Sequence, residues 1–162
     1  MRVRGMSGGV LISLFCLAAP AGAAEAQRDA PSQLVAMASR MIAAANAGDA
    51  KAMASMVADG DHAIIDNFPP FIWTGSNALS SWLDDLARNS EERGMTDPKS
   101  RLGATKFIRI EGDRAYVTVE DHFAYKRKGR AVREDLLWTF VATQASGDWK
   151  LVSWSFSGGA KH

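Results

Sequence analysis

The chain has 162 residues, a formal net charge of +1 and a single cysteine. Balanced charge argues against a nucleic-acid-binding protein, which would carry a basic surface. One cysteine excludes an internal disulfide framework, so packing alone must stabilise the fold. The length suits one domain with a proper hydrophobic core.

The first 26 residues have the composition of an export signal. A short basic region precedes an apolar run over residues 10–19, which is too short for a helix that spans a bilayer. Small-x-small cleavage sites end at Ala23 and Ala26. We therefore predict a cleaved signal peptide over residues 1–26 and an exported, periplasmic or secreted domain over residues 27–162 that has left the membrane. A retained membrane anchor is the alternative.

Two helices are predicted in the first part of the mature chain. After a polar lead-in at residues 27–33, apolar residues at helical spacing predict a helix from about Ser32 to Ala47 that ends at Gly48. Asp49 is a typical N-cap for a short second helix.

A strand and a third helix follow. Residues 62–68 have strand character, and the Pro69-Pro70 pair ends the strand. Ser76 or Asn77 then caps a third helix whose apolar residues recur at i, i+3, i+4 and i+7, namely Leu79, Trp82, Leu83 and Leu86. Residues 88–101 are polar and are predicted to form a loop.

From residue 102 onward the pattern predicts a meander of four antiparallel strands. Gly112-Asp113 and Lys128-Gly129 are two-residue turns, because glycine supplies the positive φ that such turns need. A three-residue loop over residues 146–148 makes the third connection. These turns fix the register, and a slip of one residue would send every side chain to the opposite face.

This register places one apolar stripe across the sheet, interrupted by Asp121 and Glu134. The members of the stripe are Val117, Val119, Phe123, Tyr125, Val132, Leu136, Trp138, Phe140, Val152, Trp154 and Phe156. A curved apolar face with a few acids is typical of a small-molecule pocket. The opposite face is mixed, with His122 facing Asp135, and suits solvent or a homodimer surface.

Three segments resemble known proteins: residues 45–49 with a Gly-Asp joint, residues 65–75 with a Pro-Pro and Trp-x-Gly pattern, and residues 147–154. They are similar to the SnoaL-like domains of the nuclear transport factor 2-like superfamily, in an exported bacterial branch, and the resemblance covers residues 33–158. It implies an α+β, cone-shaped fold with three N-terminal helices packed on one face of a bent, mostly antiparallel sheet. Isomerases, dehydratases, hydrolases and non-catalytic binding proteins all use this fold.

Asp66 and Asp121 are the candidate catalytic residues. Asp121 shares the apolar face, where desolvation would suit its carboxyl to acid–base work, and Asp66 stands at a strand end facing a cavity mouth. The structural alternatives are a buried, hydrogen-bonded acid for Asp121 and an Asx-turn for Asp66. The candidate ligand-binding residues are Trp73, Tyr125, Glu134, Trp138 and Trp154.

The leading hypothesis is an exported domain that binds a small apolar or amphipathic molecule, with cofactor-free acid–base chemistry if it is an enzyme. No clustered metal ligands, phosphate loop or nucleophile elbow occurs in the sequence, so no metal or cofactor is predicted. The alternative hypothesis is a non-catalytic association domain that dimerises through the mixed sheet face.

Overall fold

The computed structural model describes residues 21–145 and 147–160. Two compact units divide the chain, Met1–Ala30 and Pro31–His162, and the second contains the sheet and the core. In chain order the elements are α1 (Ala21–Ala47), α2 (Ala50–Ser55), β1 (His62–Ile65), β2 (Ile72–Gly75), α3 (Ala78–Glu92), β3 (Met95–Glu111), β4 (Arg114–Arg127), β5 (Arg130–Ala145) and β6 (Asp148–Ala160).

The six strands form one mixed sheet in the order β2-β1-β6-β5-β4-β3. β1 runs parallel to β6, and the other neighbouring strands are antiparallel. The parallel pair arises because the chain leaves β1, forms β2 and α3, and returns through the meander. The predicted α+β class, with its helices in the N-terminal part, is confirmed.

The predicted register of the central strands is confirmed. Asp121 lies opposite Leu136, and Phe123 lies opposite Glu134. Gly112 and Gly129 have φ of 58° and 80°, the left-handed conformation that their turns require. One face of β4 and β5 is consequently apolar and buried over most of its length.

The prediction for Val152 is wrong. The last connection is tighter than the predicted three-residue loop, because Ala145 already pairs with Asp148. A register shift between Val141 and Ala142 then compensates, so that Leu151 is fully buried while Val152 is only half-buried. A β-bulge inserts one residue and restores the alternation, which is why Trp154 and Phe156 still lie on the predicted face.

The first helix begins earlier than predicted, at Ala21 rather than Ser32, and includes Pro31. Residues 21–30 are rich in alanine, the best helix former, so the predicted polar lead-in at residues 27–33 is helical instead. The predicted cap at Asp49 is confirmed, since its side chain accepts a hydrogen bond of 2.9 Å from the Ala52 amide.

One segment predicted to be a loop is regular secondary structure, and one predicted strand is shorter than expected. Residues 88–101 are not a loop, because α3 continues to Glu92 and β3 begins at Met95. The polar residues of β3 are tolerated because this strand is an edge of the sheet, with one side unpaired. Strand β1 ends at Ile65 rather than residue 68, and β2 pairs with it across the proline turn.

The core lies between the helices and the apolar sheet face. Its largest fully buried side chains include Trp138, Phe140, Leu34, Met37 and Ile64. The predicted common burial of Leu136, Trp138, Phe140 and Trp154 is confirmed. Tight packing at these positions fixes the inner face of the sheet, and therefore the acids that it carries.

Candidate functional site

A cavity of about 360 Å³ opens in the Pro31–His162 unit, which is within the size range of small-molecule sites. Its wall combines the end of α1, one face of α3, the segment after β1 and the inner face of the sheet. The polar groups in this wall are Asn46, Asp66, Asn67, Asn89, Ser90, Arg93, Ser100, Asp121, Tyr125 and Glu134, and the aromatic and aliphatic groups include Phe68, Trp82, Leu86, Phe123, Leu136 and Phe156.

Asp121 is 1% exposed and lies at the cavity wall on β4. Its Oδ2 accepts a hydrogen bond of 3.0 Å from the Ser100 hydroxyl, whereas its Oδ1 is buried and has no partner among the described residues. Burial raises the pKa of the Asp121 carboxyl, and hydrogen bonds from the Ser100 hydroxyl and the Arg101 backbone oppose that rise. A carboxyl with one free oxygen and a raised pKa is suited to accept or return a proton.

Asn46 holds Ser100 in place from the end of α1. The Asn46 side chain donates to the Ser100 carbonyl at 2.8 Å, and its amide oxygen accepts from the Ser100 N–H at 2.8 Å. Both groups of this amide are therefore used in fixing β3 to α1. Sequence reasoning missed Ser100 because its segment was predicted to be a loop, and missed Asn46 because it was interpreted only as part of a helix joint.

Asp66 follows β1 and is half-buried at the cavity wall. Its Oδ1 accepts from the Asn67 N–H at 2.7 Å, and its Oδ2 accepts from the Trp82 indole N–H at 3.0 Å. Desolvation is the main cause that raises the pKa of Asp66; the two hydrogen bonds lower it, and the charge of Glu134 adds a smaller rise. The bond to the adjacent Asn67 amide is not the predicted Asx-turn, which would bond the amide two residues on, and the bond to Trp82 ties Asp66 to α3.

Tyr125 and Glu134 form a bonded pair in the same wall. The Tyr125 hydroxyl donates to Glu134 Oε1 at 2.8 Å across β4 and β5. Burial and the neighbouring carboxylate raise the pKa of the Tyr125 phenol, which stays protonated as the donor. Of the five predicted ligand-binding residues, these two line the cavity.

The three predicted tryptophans have their own packing partners outside the lining. The Trp73 indole donates to Asp85 at 2.8 Å. Trp138 stacks on Phe156, with ring centroids 6.0 Å apart, and Trp154 meets Trp82 edge to face at 6.1 Å. They support the side chains that form the wall, and the cavity itself is lined by Trp82 and Phe156.

The described residues contain no group of three or more His, Cys, Asp or Glu side chains placed to hold a metal ion. Nor does any helix in the described ranges have the length and apolarity needed to cross a bilayer. The predicted pair on the other face is present, with His122 Nδ1 and Asp135 Oδ1 2.8 Å apart.

Three helices in the N-terminal part and a mixed sheet around one lined cavity define the nuclear transport factor 2-like class of α+β proteins. The family model described as "SnoaL-like domain" matches residues 34–161, and the chain belongs to this family. Among curated proteins, none matches the chain by sequence.

Several solved structures are similar to this chain. The hexachlorocyclohexane dehydrochlorinase LinA-type3 from Novosphingobium barchaimii has a TM-score of 0.69 and 10% identity, covering 86% of this chain and 91% of that chain. A nuclear transport factor 2-like protein with a cystatin-like fold from Novosphingobium aromaticivorans gives 0.66 and 16%, covering 85% and 86%. The CaMKII hub of S. rosetta gives 0.64 and 18%, covering 78% and 95%. At these identities the likeness establishes the fold alone, because unrelated functions share one fold.

Proposed function

We propose that the chain is an exported SnoaL-like domain that binds a small, mostly apolar molecule in a cone-shaped cavity between helices and sheet. We further propose that Asp121 and Asp66 perform cofactor-free acid–base chemistry on that molecule, of the isomerase, dehydratase or hydrolase type. The observation that carries the proposal is the pair of desolvated carboxyls, both with a raised pKa, in the wall of one cavity.

The two acids differ in their hydrogen bonding, and this difference assigns their roles. Both oxygens of Asp66 accept bonds from the protein, which favours its ionised form. One oxygen of Asp121 has no hydrogen-bond partner among the described residues, so the Asp121 carboxyl is the group that takes a proton from the bound molecule and returns it at another position. Asp66, whose pKa is also raised, is the second acid–base group in the same wall. Proton transfer of this kind contributes about 10²–10⁴-fold to rate.

Two α1 variants test whether the cavity is the binding site. Ala45 is exposed and lines the cavity, so Ala45→Trp would fill the entrance without disturbing the core. Ala43 is also exposed on α1 and is not among the lining residues, so Ala43→Trp is the matched control. Melting curves with a panel of apolar ketones, alcohols and amines measure binding, because a ligand at 100 times its Kd stabilises the native state by about 2.7 kcal/mol.

A ligand of the cavity should stabilise the wild type and the Ala43→Trp variant and lose its effect in Ala45→Trp. Equal stabilisation of both variants by every active compound would show that binding occurs elsewhere. Mass spectrometry of each active compound after incubation then detects turnover. Asp121→Asn should abolish it, whereas Asp85→Asn, whose carboxylate bonds Trp73 outside the lining, should retain it.

The second candidate function is association through the outer sheet face, as a homodimer. This face exposes large apolar side chains: Phe107 is 50% exposed, Tyr116 46% and Leu137 40%. The rings of Phe107 and Tyr116 lie 6.0 Å apart and form a small continuous patch. An exposed apolar patch with a polar surround is typical of a protein interface.

Light scattering of the purified protein tests this second function. A dimer that uses the outer face should dissociate in Leu137→Glu and persist in the α1 variant Ala45→Trp, which alters the cavity and not the outer sheet face. A monomer in the wild type at high concentration would contradict the association proposal and leave the cavity proposal standing.

A further inference from the structure

The cavity wall offers hydrogen-bond acceptors more freely than donors. Three carboxylates line it, Asp66, Asp121 and Glu134. An ionised carboxylate accepts up to about four hydrogen bonds and donates none. The ligand that fits such a wall must therefore bring donors of its own.

The donors next to these acids are already used. The Ser100 hydroxyl donates to Asp121, the Trp82 indole to Asp66, and the Tyr125 hydroxyl to Glu134. The Asn46 amide donates to the Ser100 carbonyl. A ligand carboxylate or other anion would thus compete with protein acceptors for donors that are already bonded.

Other donors in the lining do not reverse this preference. Arg93 and Asn67 are exposed, so they contact a ligand only near solvent. Asn89 is half-buried, but an amide both donates and accepts and selects neither type of partner. Ser90 already contacts the Met95 sulfur at 3.8 Å.

Asp121 marks the point where a ligand donor is needed. Asp121 belongs to the cavity wall and is 1% exposed. Its Oδ1 has no hydrogen-bond partner among the described residues. A buried acceptor without a partner is destabilising, so a donor supplied by a ligand at this carboxyl would be favoured.

The charges of the wall select a cationic donor over a neutral one. Glu134 is the diagonal cross-strand neighbour of Asp121, and such neighbours lie roughly 7–8 Å apart. A cation bonded to Asp121 would therefore also be attracted by Glu134. The charge of Arg93 reaches Tyr125 in the same wall and opposes this attraction, but Arg93 is exposed and solvent weakens its effect. The aromatic rings of Trp82, Phe123 and Phe156 complete a wall that suits an apolar body with a positive end.

We propose that the cavity takes an amphiphilic amine, whose ammonium group pairs with the Asp121 carboxylate while its apolar body lies against the aromatic wall. This assignment rests on the proposed function of the cavity as a small-molecule site and names the ligand class. No covalent step is part of it.

Three probes of matched shape test the proposal by calorimetry: naphthylmethylamine, naphthylmethanol and naphthoate, all substituted at the same ring position. At neutral pH they are a cation, a neutral donor and an anion. The amine should bind about tenfold tighter than the alcohol, or about 1.4 kcal/mol, and the naphthoate should bind weakest.

Neighbouring residues on β4 provide the matched variants. Asp121→Asn removes the inner charge and should weaken amine binding about tenfold, with little effect on the alcohol. Glu120→Gln removes the same charge from the opposite face, where Glu120 pairs with Lys106, and should leave both affinities unchanged. If Asp121→Asn fails to fold, Glu134→Gln gives the same test, with a loss of about threefold for the amine.

The outcomes separate the two proposals. Naphthoate or the alcohol binding as tightly as the amine, with binding lost in Ala45→Trp, overturns the amine assignment and leaves the cavity as a binding site. Unchanged amine affinity in Asp121→Asn also overturns the assignment. A lack of binding by all three probes overturns both the assignment and the proposed function.

Discussion

Asp121→Asn should make the protein more stable at neutral pH. Asp121 is 1% exposed, its carboxyl receives one side-chain hydrogen bond, and Oδ1 has no partner among the described residues. Burial holds its pKa above the ordinary value of 3.8, so the folded state binds the proton more tightly than the unfolded chain does. The contribution of Asp121 to the free energy of unfolding is therefore fully present below pH 3.8 and is lost as the pH rises through the raised pKa of the folded state.

The size of the gain follows from two opposing contributions. Replacing an ionised acceptor by a neutral one weakens the bond from Ser100 by about 1 kcal/mol. Removing a desolvated charge relieves a penalty that is several kcal/mol per buried ion before compensation. We expect a net gain of about 1–2 kcal/mol at pH 7, which corresponds to roughly 2–8 °C in Tm.

Urea unfolding of wild type and variant across pH 3 to 8 measures this difference. The gain of Asp121→Asn should grow with pH and vanish in acid. Glu120→Gln is the control on the same strand, because the bond to Lys106 lowers the pKa of Glu120 and its contribution has the opposite pH dependence. The stability that this variant loses should therefore be constant above the ordinary pKa of 4.5 and should shrink as the pH falls through the lowered pKa of Glu120.

A loss of stability in Asp121→Asn at pH 7, or a difference that does not depend on pH, would refute this reasoning and favour a structural role for the acid. Ser100→Ala sharpens the distinction. It removes the donor and should cost about 1.5–3 kcal/mol, the usual contribution of a hydrogen bond to a charged group. Opposite signs for the two variants are expected only if the charge itself is destabilising.

Three further predictions concern packing, backbone and processing. Trp138→Ala should cost about 3–5 kcal/mol in urea unfolding, since the ring is 1% exposed and contacts Phe140; a loss below about 1 kcal/mol would contradict its place in the core. Gly158→Ala should lower stability by about 1–3 kcal/mol, because φ is 117° and the new Cβ would lie 2.7 Å from a backbone carbonyl; an unchanged midpoint would refute this strain. Mass spectrometry of exported protein should find a chain that begins at Ala24 or Gln27, and recovery of the intact N-terminus would contradict the cleavage.

Local sequence determined the parts of the fold in which each residue's neighbours are close along the chain. The turns at Gly112 and Gly129 set the pairing of β3, β4 and β5, and this pairing placed Asp121 on the buried face. The cap at Asp49 set the start of α2, and apolar spacing set most of α3, whose N-cap residue Asn77 makes no side-chain capping bond. The spacing of apolar residues and the residue types in the turns are sufficient to predict these elements, because both signals act over only a few residues.

Long-range contacts could not be deduced in this way. The bond from Trp82 to Asp66 links two elements, and so does the clamp of Asn46 on Ser100. Neither pair has a periodic signal in the sequence. Polar β3 resembled a loop for the same reason, since an edge strand needs only one partner strand and can expose the residues of its free side.

The sequence by itself therefore determined which acids face inward, because strand alternation and turn geometry are local and give every residue of β4 and β5 a fixed side. Only the tertiary structure decided that Asp66, Asp121 and Glu134 line the same cavity, and that Oδ1 of Asp121 has no partner among the described residues. Those facts depend on the parallel pairing of β1 with β6 and on the closure of α1 and α3 over the sheet. Such contacts form between residues far apart along the chain, where no local pattern specifies the partner.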